Sequence, residues 1–413
     1  MYLSSNSNKI KVFLILYFSL IVGFYFGENS SGGAYPDFIM RKSVIESFNN
    51  EFFMTFLNYD NTPDRHSPIL LIIISFLNQL GIKLDIIRFI HLNLLPLLIF
   101  ISYKCLIIRY SNIDKKIIFL ICCAFFLSPI LRSIAIWPDS RLLGLVLFLF
   151  SIYFFLRYKK NLKFKDCILN NFFLISSAYI SPNFSIFFLY FFYYYIQNLK
   201  FSKEMVLLIF LNLTMSLPMF YYLFFLDVNF LKTTAIDDIN TLTRINPFNK
   251  ILIIFSLIFF YIIPIIFRQL KLDILVKNFE ISHIFYSSIF FLCCFYFFDY
   301  SIDYTGGGIF YKTSHILFNN ASLFFIVSFL SILLILNIFK FNLNNFLLII
   351  ILILSNPQLT IYHKYFDPLL ILLFLLCFEF KFSKEKMINK ILVFNIYSFY
   401  FIFLILNFFR FLI

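Results

Sequence analysis

The stretch Pro63–Asp85, PDRHSPILLIIISFLNQLGIKLD, decides how this chain is threaded. Pro68 to Ile82 is an apolar block of only 15 residues, followed at once by Lys83 and Asp85. A helix needs about 20 residues to cross roughly 30 Å of hydrocarbon. The block is therefore read as interfacial or re-entrant rather than spanning. Each crossing moves the chain to the other side of the bilayer, so this one assignment sets the side of every later loop.

Positive charge supports the assignment. If 68–82 stays on the outer surface, the inner segments carry Lys and Arg in a two-to-one excess over the outer ones. If it crosses, the bias reverses, against the tendency of basic loops to stay inside. The resulting expectation is an all-α polytopic membrane protein with an inside N-terminus and an outside C-terminus. It has 13 transmembrane helices, near 10–27, 88–108, 117–135, 142–158, 168–181, 184–198, 204–226, 250–267, 282–298, 317–338, 343–355, 367–380 and 391–411. Residues 1–413 form a single membrane-embedded domain. The first outer loop, 28–67, and the interfacial helix 68–82 are expected to contribute to an active site.

Composition agrees. Of 413 residues, 61% are hydrophobic and 13% charged, with a mean hydropathy of +0.89. A soluble domain of this length would show far more charge. The apolar runs lack the alternation of outer-membrane strands, so helices are the reading. The net charge of +13 does not indicate nucleic acid, because the lysines sit in short clusters between apolar blocks. The seven cysteines lie in or beside those blocks, with no metal-ligand spacing, and read as small apolar residues. Val12–Phe26 reads as an uncleaved first span rather than a signal peptide. No phosphate loop or dinucleotide fingerprint occurs, and neither cofactor nor metal is indicated.

The polar residues collect on the expected outer face. Asp37, in the loop after the first span, can act as a general base on an acceptor hydroxyl or cap an interfacial helix. Arg65 and His66 can meet a phosphate at headgroup level, or simply contact lipid. Arg132, Asp139 and Arg141 flank the break at Pro138, where a salt bridge is the structural alternative to a substrate contact. His363 and Lys364 lie in the most polar late outer segment, where Lys364 can neutralise a phosphate or snorkel to headgroups.

The order of these features resembles the GT-C glycosyltransferases, multi-span enzymes that use polyprenyl-phosphate-linked sugars, including the protein mannosyltransferase and aminoarabinose transferase types. The resemblance rests on Asp37, on His66-Ser67-Pro68 opening the interfacial block, on Ser128–Arg132 through Trp137-Pro138-Asp139, and on Tyr362-His363-Lys364-Tyr365. It implies transfer of a sugar from a polyprenyl-phosphate donor to a lipid, glycan or protein acceptor. Asp37 would be the catalytic base, and Arg65, His66, Arg132, Asp139, Arg141, His363 and Lys364 would bind the substrate or the donor phosphate. It also implies interfacial helices in the first long loop and an active site facing the periplasm or exterior of a bacterial plasma membrane. Membrane lipids are expected partners. The alternative is a multi-span transporter or a lipid-linked-oligosaccharide flippase, which would carry broken helices and polar groups at mid-membrane. A glycan polymerase or ligase of another fold would carry its large outer loop late rather than early.

Overall fold

The computed structural model describes residues 6–64, 66–228, 246–267, 280–304, 306–356, 358, 360–383 and 387–409. These are helical apart from turns and one isolated antiparallel bridge, Phe339 to Phe380. Among them, five helices are long and apolar enough to cross a membrane: Leu84–Arg109, Ser140–Asn161, Lys203–Phe225, Pro247–Ile266 and Lys390–Asn407. A sixth candidate, Lys115–Leu127 with Pro129–Ile136, is bent by 66°. The protein is accordingly an α-helical integral membrane protein. Its chain divides into two compact units, residues 1–111, 118–239 and 400–413 in the first, residues 112–117 and 240–399 in the second.

The first unit begins with α1 (Asn6–Tyr25), α2 (Ala34–Asn50), α3 (Phe52–Leu57) and α4 (Ile69–Gln79). The block singled out in the sequence is thus an 11-residue helix, about 16 Å long at 1.5 Å per residue, half the hydrocarbon thickness. Leu70, Leu71 and Ile74 of α4 pack on Val44, Ile45 and Phe48 of α2. Asn49 donates to Asn78 at 2.9 Å and accepts from Ser75 at 2.7 Å, locking the pair. Ile73, Phe76 and Leu80 are left exposed.

Next come α5 (Leu84–Leu92) and α6 (Leu94–Arg109), which together make the first long span, then α7 (Lys115–Cys123) and α8 (Pro129–Ile136). The sequence predicts one straight span over 117–135, but the structure bends it at Ser128. Pro129 has no N–H with which to continue the ladder, and the Phe125 carbonyl takes the Ser128 N–H instead, at 3.1 Å. The Ser128 hydroxyl accepts from Leu131 N at 3.1 Å and starts a new helix with proline in its first position.

Asp139 caps α9 (Ser140–Asn161) by accepting from Arg141 N at 2.9 Å. Helix α10 (Phe164–Ile180) packs closely along it. A Cβ on Gly144 would stand 2.7 Å from Ser181 Cβ, so glycine lets the two backbones approach. Apolar burial gives helices little reason to associate within lipid, and hydrogen bonds help to hold them. Here Ser177 donates to Gly144 O at 2.7 Å, Asn170 to Ser151 O at 2.9 Å, and Tyr195 of α11 (Phe188–Leu199) to Asn170 at 2.8 Å.

Helix α12 (Lys203–Phe220) runs on through a π-helical turn, Tyr221–Phe225, and only 11% of its span is buried. The Tyr179 hydroxyl donates to Met215 O at 2.7 Å and accepts from Met219 N at 3.3 Å. It therefore bridges the two ends of one helical turn beside Pro218, a way to bend a helix without leaving its backbone groups unpaired.

The second unit is built on α13 (Pro247–Ile266), 72% of whose span is buried. Around it stand α14 (Ile281–Tyr296), α15 (Gly308–Phe318), α16 (Ser322–Ile338), α17 (Leu343–Leu354) and α18 (Leu369–Leu376). The last helix, α19 (Lys390–Phe409), continues from this unit into the first.

Candidate functional site

In the first unit the polar residues converge on Arg41, in the middle of α2. Its Nη1 donates to Asp139 Oδ2 at 2.8 Å and its Nε stands 3.4 Å from Asp64 Oδ2. All three side chains are almost fully buried. Asp139 also receives both arms of Arg141, each at 2.7 Å. Such two-armed, charge-assisted pairs are the strong ones.

Asp64 accepts from the imidazole of His66 at 2.7 Å and from its backbone N–H at 3.1 Å. Arg41 Nη2 stands 3.1 Å from the same ring nitrogen, Nδ1. One nitrogen cannot donate to a carboxylate and accept from a guanidinium at once. The shorter contact, to an anion, assigns the proton to Nδ1 and the hydrogen bond to Asp64.

The electrostatics follow from burial working against pairing. Burial alone would raise the Asp64 carboxyl, but His66 and Arg41 beside it hold it down at about 2. Burial would likewise raise Asp139, and Arg141 followed by Arg41 holds it well below the usual carboxylate range. Burial would weaken the hold of Arg41 on its proton, and Asp139 and Asp64 more than reverse this. Arg41, Asp64 and Asp139 are thereby all held in their charged forms.

Asp37 lies one helical turn before Arg41 on α2, half-buried and within its electrostatic reach. Arg132 is bound elsewhere in the unit. Its Nε and Nη2 meet the Glu28 carboxylate at 2.7 and 2.5 Å, and Nη1 and Nη2 reach Ser19 of α1. Trp137 donates to Glu28 O at 2.9 Å and lies under the Arg88 guanidinium, 4.0 Å from it. The turn Trp137-Pro138-Asp139 joins the two arginine clusters. Arg65 lies outside the described residues.

Beside this polar cluster lies an apolar groove of about 700 Å³, lined by Tyr179, Phe188, Leu213, Met219 and Phe224 among others. Ser67 donates to the backbone carbonyl of Tyr179. One residue thus separates His66 from a wall of the groove. Leu213 and Phe224 are largely exposed, so the groove opens on the surface of the sparsely buried helix α12.

His363 and Lys364 belong to the second unit. His363 Nε2 meets the hydroxyl of Tyr261 at 2.5 Å. Lys364 Nζ lies over the Tyr362 ring, 5.1 Å from its centre. Near the start of the same connection, Lys250 donates to Asn356 O at 2.5 Å. From Lys250 to Tyr261 is eleven residues along α13, about 16 Å. The chain after α17 therefore descends beside α13 rather than capping it from outside. Gly307 N donates to Ile361 O at 3.0 Å on the way, and a Cβ on Gly306 would stand 2.6 Å from that oxygen. Non-helical backbone alongside the middle of an apolar span needs protein around it, and here α13 and the glycines supply it.

The structure thus joins His66, Asp139 and Arg141 in one network, with Asp37 at its edge and Arg132 in a neighbouring pair. Arg41, Asp64 and Glu28 are the members that sequence reasoning did not single out. The i, i+4 spacing of Asp37 and Arg41 and the run Asp64-Arg65-His66 were the available signals. Nothing pointed to Tyr179, one of 26 tyrosines. Among the described residues, no three His, Cys, Asp or Glu side chains converge as for a metal. Comparison with protein families, curated proteins and solved structures gave no match.

Proposed function

We propose that the protein is a GT-C-type glycosyltransferase acting on a polyprenyl-phosphate-linked sugar. The observation that carries this reading is the junction at Ser67. An apolar groove open at the surface of a membrane helix meets a cluster of ionised side chains one residue away. This is the shape an amphiphile with a long chain and a phosphate sugar requires. Asp37 is then the base that takes the proton of the acceptor hydroxyl. The acceptor is a lipid, glycan or protein. Replacement of Asp37 by Asn should abolish transfer from undecaprenyl-phosphate sugars in detergent while leaving the melting transition in place. An active Asp37→Asn enzyme would remove it as the base.

The same reading has thirteen spans, α4 on the outer surface and the site facing the periplasm or exterior of a bacterial plasma membrane. The exposed apolar residues of the short helix α4 support this placement. Single cysteines at Ser67 and Lys83, in a background without native ones, should both react with an impermeant thiol reagent on intact cells. Reaction at Ser67 alone would mean that the block crosses and the later loops change sides.

A transporter or lipid-linked-oligosaccharide flippase is the second reading, and three observations favour it. These are the 66° break at Ser128, the bridged turn in α12, and the His363–Tyr261 pair within the span of α13, five residues from its C-terminal end. Movement of a fluorescent lipid-linked sugar across proteoliposomes without any transfer product would decide for it.

A further inference from the structure

Two of the arginines expected to hold a donor phosphate, Arg132 and Arg141, are engaged with carboxylates. Both arms of Arg141 go to Asp139, and Arg132 spans the Glu28 carboxylate. A phosphate could take either fork only by displacing a buried or half-buried anion. His66 is different. Its Nδ1 is committed to Asp64 at 2.7 Å, and Asp64 is 1% exposed while the imidazole is 23% exposed. Tyr59 donates to His66 O at 3.0 Å and Ser67 is tied to Tyr179, so the backbone on both sides of the ring is held. Among the described residues no acceptor meets Nε2, whose one neighbour within hydrogen-bond range is Arg41 Nη2 at 3.5 Å.

A buried carboxylate that fixes one ring nitrogen of a partly exposed imidazole and leaves the other without an acceptor is the arrangement by which an imidazole becomes a proton-transfer group. Arg41 completes the support, because its guanidinium holds Asp64 ionised and is itself held by Asp139. We propose that Asp64 and His66 form an acid–base dyad in which His66 Nε2 protonates the departing polyprenyl phosphate, and that Asp64 is its positioning residue.

The step rests on the glycosyltransferase reading. The acceptor oxygen forms a bond to the anomeric carbon while the bond from that carbon to the phosphate oxygen breaks. The electron pair of the broken bond stays on the phosphate. Asp37 receives the acceptor proton and the imidazolium of His66 gives its Nε2 proton to the phosphate oxygen. A phosphate monoester has a second pKa near 6, so it accepts that proton readily. Solvent then carries a proton from Asp37 back to His66. Arg41 is placed for this division of labour, in contact with His66 and within electrostatic reach of Asp37.

The test uses the full-length protein in detergent with a panel of undecaprenyl-phosphate-linked hexoses and pentoses, following release of undecaprenyl phosphate. His66→Gly should lower kcat by about 10²–10⁴-fold, with the donor KM changed little. Added imidazole should restore part of the rate, whereas His66→Lys, which supplies a fixed cation, should not. Asp64→Asn should lower kcat in the wild-type background and add little to His66→Gly. Full activity of His66→Lys, with no rescue of His66→Gly by imidazole, would make His66 a phosphate clamp and overturn the dyad. So would a fully active His66→Gly. Absence of turnover by the wild-type protein on the whole panel would instead remove the glycosyltransferase reading, and the dyad with it. Unaltered melting of His66→Gln separates loss of chemistry from loss of fold.

Discussion

Replacing Arg41 by Met tests whether the polar centre of the first unit is held together as described. Met keeps most of the volume and the flexible stem while removing the charge. Asp139 would keep both arms of Arg141, and Asp64 would keep only His66. Removing one member of a buried, hydrogen-bonded ion pair costs about 3–5 kcal/mol, because the other charge stays behind. The loss should fall at the upper part of that range, since Arg41 serves two carboxylates that are each 1% exposed. Adding Asp64→Asn to Arg41→Met removes the stranded charge and should recover about 1–3 kcal/mol as a coupling energy. Arg41→Lys should fall between wild type and Met, because a single ammonium cannot span Asp64, Asp139 and the Pro138 carbonyl as the fork does. Trp137, the chain's one tryptophan, precedes Pro138 and reports on this turn directly. Its fluorescence during thermal and denaturant unfolding in detergent is the assay. A loss below about 1 kcal/mol for Arg41→Met, or a double variant no more stable than the single one, would refute the network as a stabilising unit.

Two further outcomes are expected. A Cβ on Gly23 would stand 2.2 Å from Glu28 Oε2 and 3.0 Å from Arg132 Nη2, so Gly23→Ala should push the carboxylate off its arginine. The variant should be less stable by about 1–2 kcal/mol, although alanine is the better helix former by about 1 kcal/mol; equal or greater stability would show that Glu28 relaxes without loss. Acid should weaken the first unit through Asp64, whose pKa falls from 3.8 to about 2 on folding. A depressed folded value makes the stabilisation complete above the unfolded pKa and lost as pH falls from about 4 toward 2, in all about 2 kcal/mol. The same fall in the Asp64→Asn variant would assign it to other groups.

Much of the architecture was legible from local chemistry. Apolar runs with almost no charge require helices in lipid, because every backbone N–H and C=O must be satisfied within the segment. The shortness of 68–82 appears in the structure as the 11-residue helix α4. Ser128-Pro129 carries the local signal of a break, since a hydroxyl before proline is a helix start. The turn at Asp139 was visible for the same reason, and the carboxylate indeed caps α9.

The pairing of charges was not legible. Asp139 had two candidate arginines in sequence, Arg132 and Arg141, and the structure adds a third, Arg41, from a helix 98 residues away. Which guanidinium meets which carboxylate depends on how α1, α2 and α8 pack, and that packing sends Arg132 to Glu28 instead. His363 shows the same limit. Its segment is polar and lies between apolar blocks, so it reads as an outer loop, but contact with Tyr261 carries it down beside α13. The sequence by itself determined that this protein lives in a membrane as helices, because hydrophobic length and backbone satisfaction are local quantities. Only the tertiary structure decided where its charges meet, because a buried ion pair is formed by whichever distant segments packing brings within about 3 Å.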